Sequence, residues 1–141
     1  MADLEGLIRY RRNIVEEKQK ILADLYRSAE KLEVRKKTLE DKLKHEREAI
    51  DNNPELETLT YFGKFEQVAL RDIDRLTEEL KKWELRINIA QDDVRNAFAD
   101  VKRVEIVQER RQEEAKQAQR AKETLELDEI GLDGFRRAED R

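Results

Sequence analysis

Two long stripes of apolar residues, spaced by alternating steps of three and four, constrain the fold of this chain more than any other feature. This spacing places side chains along one face of a supercoiling helix. The first seam runs through Leu4, Ile8, Arg11, Val15, Lys18, Leu22, Leu25, Ala29, Leu32, Lys36, Leu39, Leu43, Glu46 and Ile50. The second seam runs through Leu59, Phe62, Glu66, Ala69, Ile73, Leu76, Leu80, Trp83, Ile87, Ala90, Val94, Ala97, Val101, Val104, Gln108, Arg111, Ala115, Ala118, Lys122 and Leu125. Most positions are apolar, so the sequence predicts two long α-helices.

Between the two seams lies the segment DNNPE, which contains the single proline of the chain. Asn53 is suited to cap free helix amides, Pro54 has no amide to leave unsatisfied, and Glu55 suits the positive end of a helix. A second helix is therefore predicted to begin between residues 54 and 59. Two apolar stripes separated by such a turn bury each other most simply as an antiparallel helical hairpin.

The two predicted helices differ in length. If the chain folds back near residue 53, Leu4 lies opposite about Arg103, and helix two overhangs beyond that point. Gly131 and Gly134 are predicted to mark its far end. We therefore predict an all-α fold, an antiparallel coiled-coil hairpin whose second helix is longer and overhangs. The expected single domain comprises helix one at 1–50, a turn at 51–58, helix two at 59–126 and a frayed or flexible C-terminal tail at 127–141.

The composition narrows the classes of function. Charged residues make up 45% of the chain, but 30 basic residues against 34 acidic ones give a net charge of −4. This balance argues against nucleic-acid binding, which needs a positive field. No apolar run approaches the ~20 residues of a membrane span, and MADLEGLIRY does not resemble a signal peptide. A cytoplasmic protein is expected. With no cysteine, disulfides and thiolate metal sites are excluded.

The sequence contains few features that would indicate a catalytic site. The single histidine, His45, has charged neighbours, which is typical of a solvated surface residue. The many pairs of acidic residues are expected on a coiled-coil surface, and the four glycines are not spaced to cradle a phosphate. We therefore expect a protein that is not an enzyme, with no catalytic residue, no cofactor and no metal site.

Three apolar residues next to the turn lie off the second seam and form a short strip: Tyr61, Phe65 and Val68. Their spacing of four and three places them on one side of the helix. Two interpretations remain open for them, a local core that closes the hairpin and a surface on which a partner docks. Trp83 lies on the seam itself, which favours a core residue over a partner anchor.

A second candidate surface lies at the opposite end of the predicted hairpin. The segment RYRR supplies three arginines and Tyr10, and antiparallel pairing brings two further arginines close to them. Two apolar residues lie where pairing within the chain is expected to end. Ordinary surface charge, balanced by nearby glutamates, is the alternative to a dedicated contact. The candidate residues are Arg9, Arg11, Arg12, Ile106, Val107, Arg110 and Arg111.

Several of these features together resemble the FliJ family of flagellar type III export. They are the first helix ending near residue 50, the motif FGKF at 62–65, Trp83 eighteen residues after Phe65, and the ending LDEIGLDGFRR with its Asp-Glu pair. The resemblance spans nearly the whole chain. It implies a soluble component of the export apparatus whose antiparallel coiled coil is similar to the central stalk of rotary ATPases.

The resemblance also implies partners. The end that bears both termini would enter the hexameric ring of the export ATPase, and the chain would link that ring to the cytoplasmic domain of the membrane export gate and to export chaperones. The family's partner-facing region matches Phe65 and the surface around Phe62, Ala69 and Leu76. The protein is then expected at the cytoplasmic face of the inner membrane, attached through its partners, binding no nucleic acid and monomeric when isolated.

Two other interpretations compete with a flagellar stalk. One is the equivalent stalk of a virulence-type injectisome. The other is a generic scaffolding coiled coil whose seams pair between chains as a parallel dimer of long helices. Pro54 and the polar run DNNPE argue against the dimer, because they interrupt a continuous helix.

Overall fold

The structure, a computed structural model, describes residues 3–140 and contains two α-helices and no strand in that range. Helix α1 spans Glu5–Asn52, and helix α2 spans Leu56–Glu139. The two helices pack against each other as a hairpin, which confirms the predicted all-α fold with a longer second helix. Neither of them has a stretch long and apolar enough to cross a membrane.

By its internal contacts the chain divides into two compact units. The turn unit comprises Ile14–Ala97, and the terminal unit comprises Met1–Asn13 together with Phe98–Arg141. Each unit contains a part of α1 packed on a part of α2, so each has a core of its own.

The core of the turn unit consists of residues from the two predicted seams. Its buried residues are Val15, Ala29, Leu43, Ile50, Ala69, Leu76, Ala90 and Ala97. The charged seam residues Lys18, Lys36 and Glu46 are half-buried, because their aliphatic stems line the contact while their charged ends reach water. The seams thus bury each other within one chain, which is the hairpin arrangement and not the parallel dimer.

The turn differs from the prediction in its details. The Asn53 amide donates to the carbonyl oxygens of Ala49 and Ile50, both at 3.1 Å, and thereby closes α1. The Leu59 amide donates to the Glu55 carbonyl at 2.9 Å. Glu55, and not Asn53, therefore stands at the cap position of α2. The helix begins at Leu56, which lies within the predicted range of 54 to 59 and three residues before the bound of 59 given for helix two.

In the terminal unit the pairing of the helices is shifted relative to the prediction. The Leu4 amide donates to Gln108 Oε1 at 3.3 Å, whereas the expected neighbour of Leu4 was Arg103. The shift arises at the turn, where every residue from Asp51 to Tyr61 is exposed. Since these residues pair with nothing, α2 reaches α1 later in the sequence than a tight turn at residue 53 would allow.

The last part of α2 consists of exposed residues only. Every residue from Glu109 to Glu139 is exposed, and we call this segment the bare helix. It continues through Gly131 and Gly134, neither of which has a positive φ. The predicted helix end at 126 is therefore too early, and residues 127–139, expected as a frayed tail, are helical. The expected tail residue Arg141 lies outside the described residues.

Gly63 offers a test of helix propensity in α2. The glycine is exposed and helical, and a Cβ atom added to it would meet nothing within 4 Å. No neighbour among the described residues therefore approaches this glycine closely. We expect Gly63→Ala to raise the free energy of unfolding by about 1 kcal/mol, measured by urea denaturation. Lys64→Ala is the control, with little expected change. A loss of stability in Gly63→Ala would contradict the open environment.

Candidate functional site

The strip beside the turn divides into residues with different environments. Tyr61 and Val68 are 67% and 57% exposed. Phe65 is half-buried, and the ammonium group of Lys42 in α1 lies 5.2 Å from its ring centroid, within the range of a cation–π contact. Phe62 is also half-buried. Phe65 thus contributes to closing the hairpin, while Tyr61 and Val68 are free to contact another molecule.

Two residues placed in the partner-facing region by family resemblance are core residues here. Ala69 and Leu76 are each 2% exposed. Both lie on the second seam and face α1, so a partner would reach them only if the hairpin opened. We therefore correct their assignment from direct partner contact to packing between the helices.

The basic residues of the terminal unit are only partly neutralised. Arg12 pairs with Glu105 at 2.9 Å, and Arg11 approaches Asp100 at 3.8 Å. Within residues 3–140, by contrast, Arg9, Arg110 and Arg111 have no carboxylate within ion-pair distance. These three candidate guanidinium groups are therefore unpaired, and their planar geometry suits a carboxylate-bearing surface.

Two apolar side chains are exposed on the same part of α2, just before the bare helix. Ile106 and Val107 are 38% and 40% exposed. The structure thus places them where pairing with α1 ends, as expected, and leaves part of each side chain uncovered. Together with the unpaired arginines they form a mixed basic and apolar surface.

A larger surface, mainly apolar, lies on the bare helix, and the sequence analysis identified only two of its residues, Ala118 and Leu125. Its members follow steps of three and four, are apolar except for Asp128, and form the C-terminal stripe: Ala118, Ala121, Leu125, Asp128, Leu132 and Phe135. Leu125, Leu132 and Phe135 are between 57% and 66% exposed. The spacing of these residues contains the stripe, but the predicted second seam runs through Lys122 instead of Ala121. The predicted helix also ends near the two glycines.

Within residues 3–140, no cluster of three or more histidine, cysteine, aspartate or glutamate residues could hold a metal ion. His45 is exposed on α1. Trp83 is half-buried at its seam position, and the Arg86 guanidinium of the same helix lies 5.0 Å from its ring centroid.

Comparison with known proteins gives one match. No curated protein and no solved structure matches the chain. The family model described as flagellar FliJ protein matches residues 1–140, which is nearly the whole chain. This match agrees with the helical hairpin and with the motifs at 62–65 and near the C-terminus. The chain belongs to the FliJ family of flagellar export proteins.

Proposed function

We propose that this chain binds the hexameric export ATPase of the flagellar type III apparatus through its terminal unit. It acts there as a non-catalytic stalk, at the cytoplasmic face of the inner membrane and attached through protein partners. A second surface, beside the turn, binds the cytoplasmic domain of the export gate and export chaperones. The isolated chain is a monomer at micromolar concentration.

The observation that carries this proposal is the bare helix with its C-terminal stripe. A helix with side chains is about 10–12 Å across, whereas two packed helices with axes 8–10 Å apart are about 20 Å across. A single helix therefore enters a narrow opening that a hairpin cannot. Leu125, Leu132 and Phe135 are largely exposed, and a ring of subunits would cover them.

Charge supports the same assignment. Arg9, Arg110 and Arg111 are uncompensated in the terminal unit and would contact acidic residues at the mouth of the ring. Arg12 is less available because Glu105 already accepts its hydrogen bond at 2.9 Å. We therefore assign the charge-dependent part of ring binding to Arg9, Arg110 and Arg111, and the apolar part to the C-terminal stripe together with Ile106 and Val107.

A pull-down and an ATPase assay with the cognate export ATPase test the proposal. We expect the chain to bind the ATPase and to change its oligomerisation or turnover. Because rim charges act mainly on association, higher salt should weaken the complex without abolishing it. The absence of both binding and any change in ATPase oligomerisation or turnover would refute the proposed function.

The gate surface gives a separate prediction. We expect Tyr61→Ser with Val68→Ser to weaken binding to the gate cytoplasmic domain by about tenfold or more, since exposed aromatic residues dominate many interfaces. The free energy of unfolding should change by less than about 0.5 kcal/mol, because both side chains are exposed. Isothermal titration calorimetry and urea denaturation measure the two effects.

A matched pair on the same helix serves as the control. Leu85 and Ile89 are 64% and 63% exposed and lie outside the proposed surface. Leu85→Ser with Ile89→Ser should leave gate binding unchanged. Equal losses in the two double variants, or no loss in either, would show that Tyr61 and Val68 do not form the gate surface.

A further inference from the structure

The glycine at position 63 has no explanation within the fold of this chain. It is helical and exposed, its φ is not positive, and a Cβ atom there would meet nothing within 4 Å. Alanine would fit the same space and would favour the helix by about 1 kcal/mol. A glycine that the chain itself does not require permits another backbone to approach closely from outside.

Exposed leucines flank this glycine at equal distances. Leu56 precedes it by seven residues and Leu70 follows it by seven, and the two are 81% and 42% exposed. Seven residues are nearly two helical turns, so all three lie on one face of α2. Leu59, 44% exposed, lies beside them. We call this set, Leu56, Leu59, Gly63 and Leu70, the Gly63 stripe.

The Gly63 stripe is separate from the surfaces described above. At 100° per residue, its members lie roughly 80–160° around the helix from the core residues Ala69 and Leu76. Tyr61 and Val68 lie on the other flank of α2. The Gly63 stripe is therefore neither part of the packing against α1 nor part of the proposed gate surface.

We propose that the Gly63 stripe binds a second copy of this chain, with the two α2 helices antiparallel and a two-fold axis at Gly63. The symmetry of the stripe is the reason to choose this occupant. Antiparallel pairing centred on Gly63 places Leu56 against Leu70 of the second copy, and Leu70 against Leu56, whereas Leu59 lies opposite Gln67. The two glycines face each other at the crossing point, where the backbones are closest.

Charges beside the stripe agree with the same register. In this register, Glu57 and Arg71 of the second copy are offset by two residues, which is about 3 Å along the helix axis. Within residues 3–140 neither Glu57 nor Arg71 forms an ion pair, so both are available. Lys64 opposes the association, because it comes close to Lys64 of the second copy. Two attractive pairs against one repulsive pair leave a small electrostatic gain.

The size of the contact makes the association weak. The stripe from Leu56 to Leu70 is about 21 Å long, a short contact between two helices. Stable complexes usually bury about 1,200–2,000 Å² in total, and smaller contacts are transient. We therefore expect the dimer to form only at millimolar protein concentration or at high local concentration. This expectation agrees with a monomer at micromolar concentration.

The absence of cysteine in the chain allows a clean crosslinking test. Leu56→Cys and Leu70→Cys variants, mixed in equal amounts at millimolar concentration under mild oxidation, should form disulfide-linked heterodimers at least about tenfold faster than Leu56→Cys alone forms homodimers. Leu85→Cys is the control, since Leu85 is 64% exposed on the same helix but outside the stripe. Equal rates for all three samples, or faster linkage of Leu56→Cys to itself, would overturn the proposal.

Sedimentation equilibrium provides a second measurement that does not depend on cysteine. The average mass of the unmodified chain should rise above 16.9 kDa as concentration increases. Gly63→Gln should remain monomeric over the same range, although its helix is intrinsically more stable, because its side chain blocks the crossing point. Gly131→Gln is the matched control and should associate like the unmodified chain. Association of Gly63→Gln at the unmodified level, or an unmodified chain that stays monomeric, would refute the two-fold axis at Gly63.

Discussion

Replacing Leu76 with alanine is expected to lower the free energy of unfolding by about 3 kcal/mol. Leu76 is the most completely buried large side chain of the described chain, at 2% exposure, and it faces α1 in the middle of the second seam. The substitution removes apolar contact and leaves a cavity that two long helices cannot easily close. Urea denaturation followed by far-UV circular dichroism measures the loss.

The Leu85→Ala variant is the control for this prediction. Leu85 has the same side chain on the same helix but is 64% exposed, so its free energy of unfolding should change by less than about 0.5 kcal/mol. A Leu76→Ala variant that unfolds like the unmodified protein would contradict the core assignment. It would also restore Leu76 as a candidate for direct partner contact.

The double substitution Leu132→Glu with Phe135→Glu should have the largest effect on ATPase binding. Two charges in the C-terminal stripe would have to be desolvated in any contact that covers the stripe, so we expect affinity to fall by at least about a hundredfold. The melting temperature of the hairpin should hardly change, because both substituted side chains are largely exposed. Surface plasmon resonance with the export ATPase and thermal denaturation give the two readouts.

The opposite face of the bare helix supplies the control. Leu127 and Ile130 are 68% and 66% exposed but lie outside the C-terminal stripe. Leu127→Glu with Ile130→Glu introduces the same two negative charges in the same part of the bare helix. Affinity for the export ATPase should fall clearly less in this variant. If both double variants bind as the unmodified chain does, the bare helix is not the ATPase contact.

The helical hairpin was predictable from the sequence because its core depends on a long regular period. Every position of the first seam within the helix, including Lys18 and Lys36, is buried or half-buried in the structure. The same period extended along α2 as far as Gln108 and identified its buried positions. A repeat maintained over so many turns outweighs the local preference of any single charged residue.

The turn and the pairing register were less predictable because they depend on a few local contacts. Asn53 and Pro54 were expected to open α2, but the Asn53 amide completes α1 instead, and Glu55 takes the cap position. Leu59 belongs to the seam by its spacing and yet remains exposed, because α1 ends before reaching it. Sequence spacing shows which face of a helix is apolar but not where its partner helix stops.

The candidate surfaces show the same limitation. A position off the seam correctly predicts that Tyr61 and Val68 are exposed. It does not predict that Phe65 is half-buried, with Lys42 of α1 over its ring. Ala69 and Leu76 were included through resemblance alone, although their seam positions already predicted burial. At the C-terminus, Gly131 and Gly134 predict a helix end, whereas in the structure neither glycine interrupts α2.

The bare helix has a consequence for how long the chain survives in a cell. Every residue of Glu109–Glu139 is exposed, and no ion pair found within residues 3–140 falls in this segment, so local opening costs little free energy. Proteases cleave opened segments at a rate that follows how often they open. A chain whose bare helix is surrounded by a partner is shielded, and a free chain is not. Degradation would therefore remove surplus copies first and adjust their number to the number of assembled export machines.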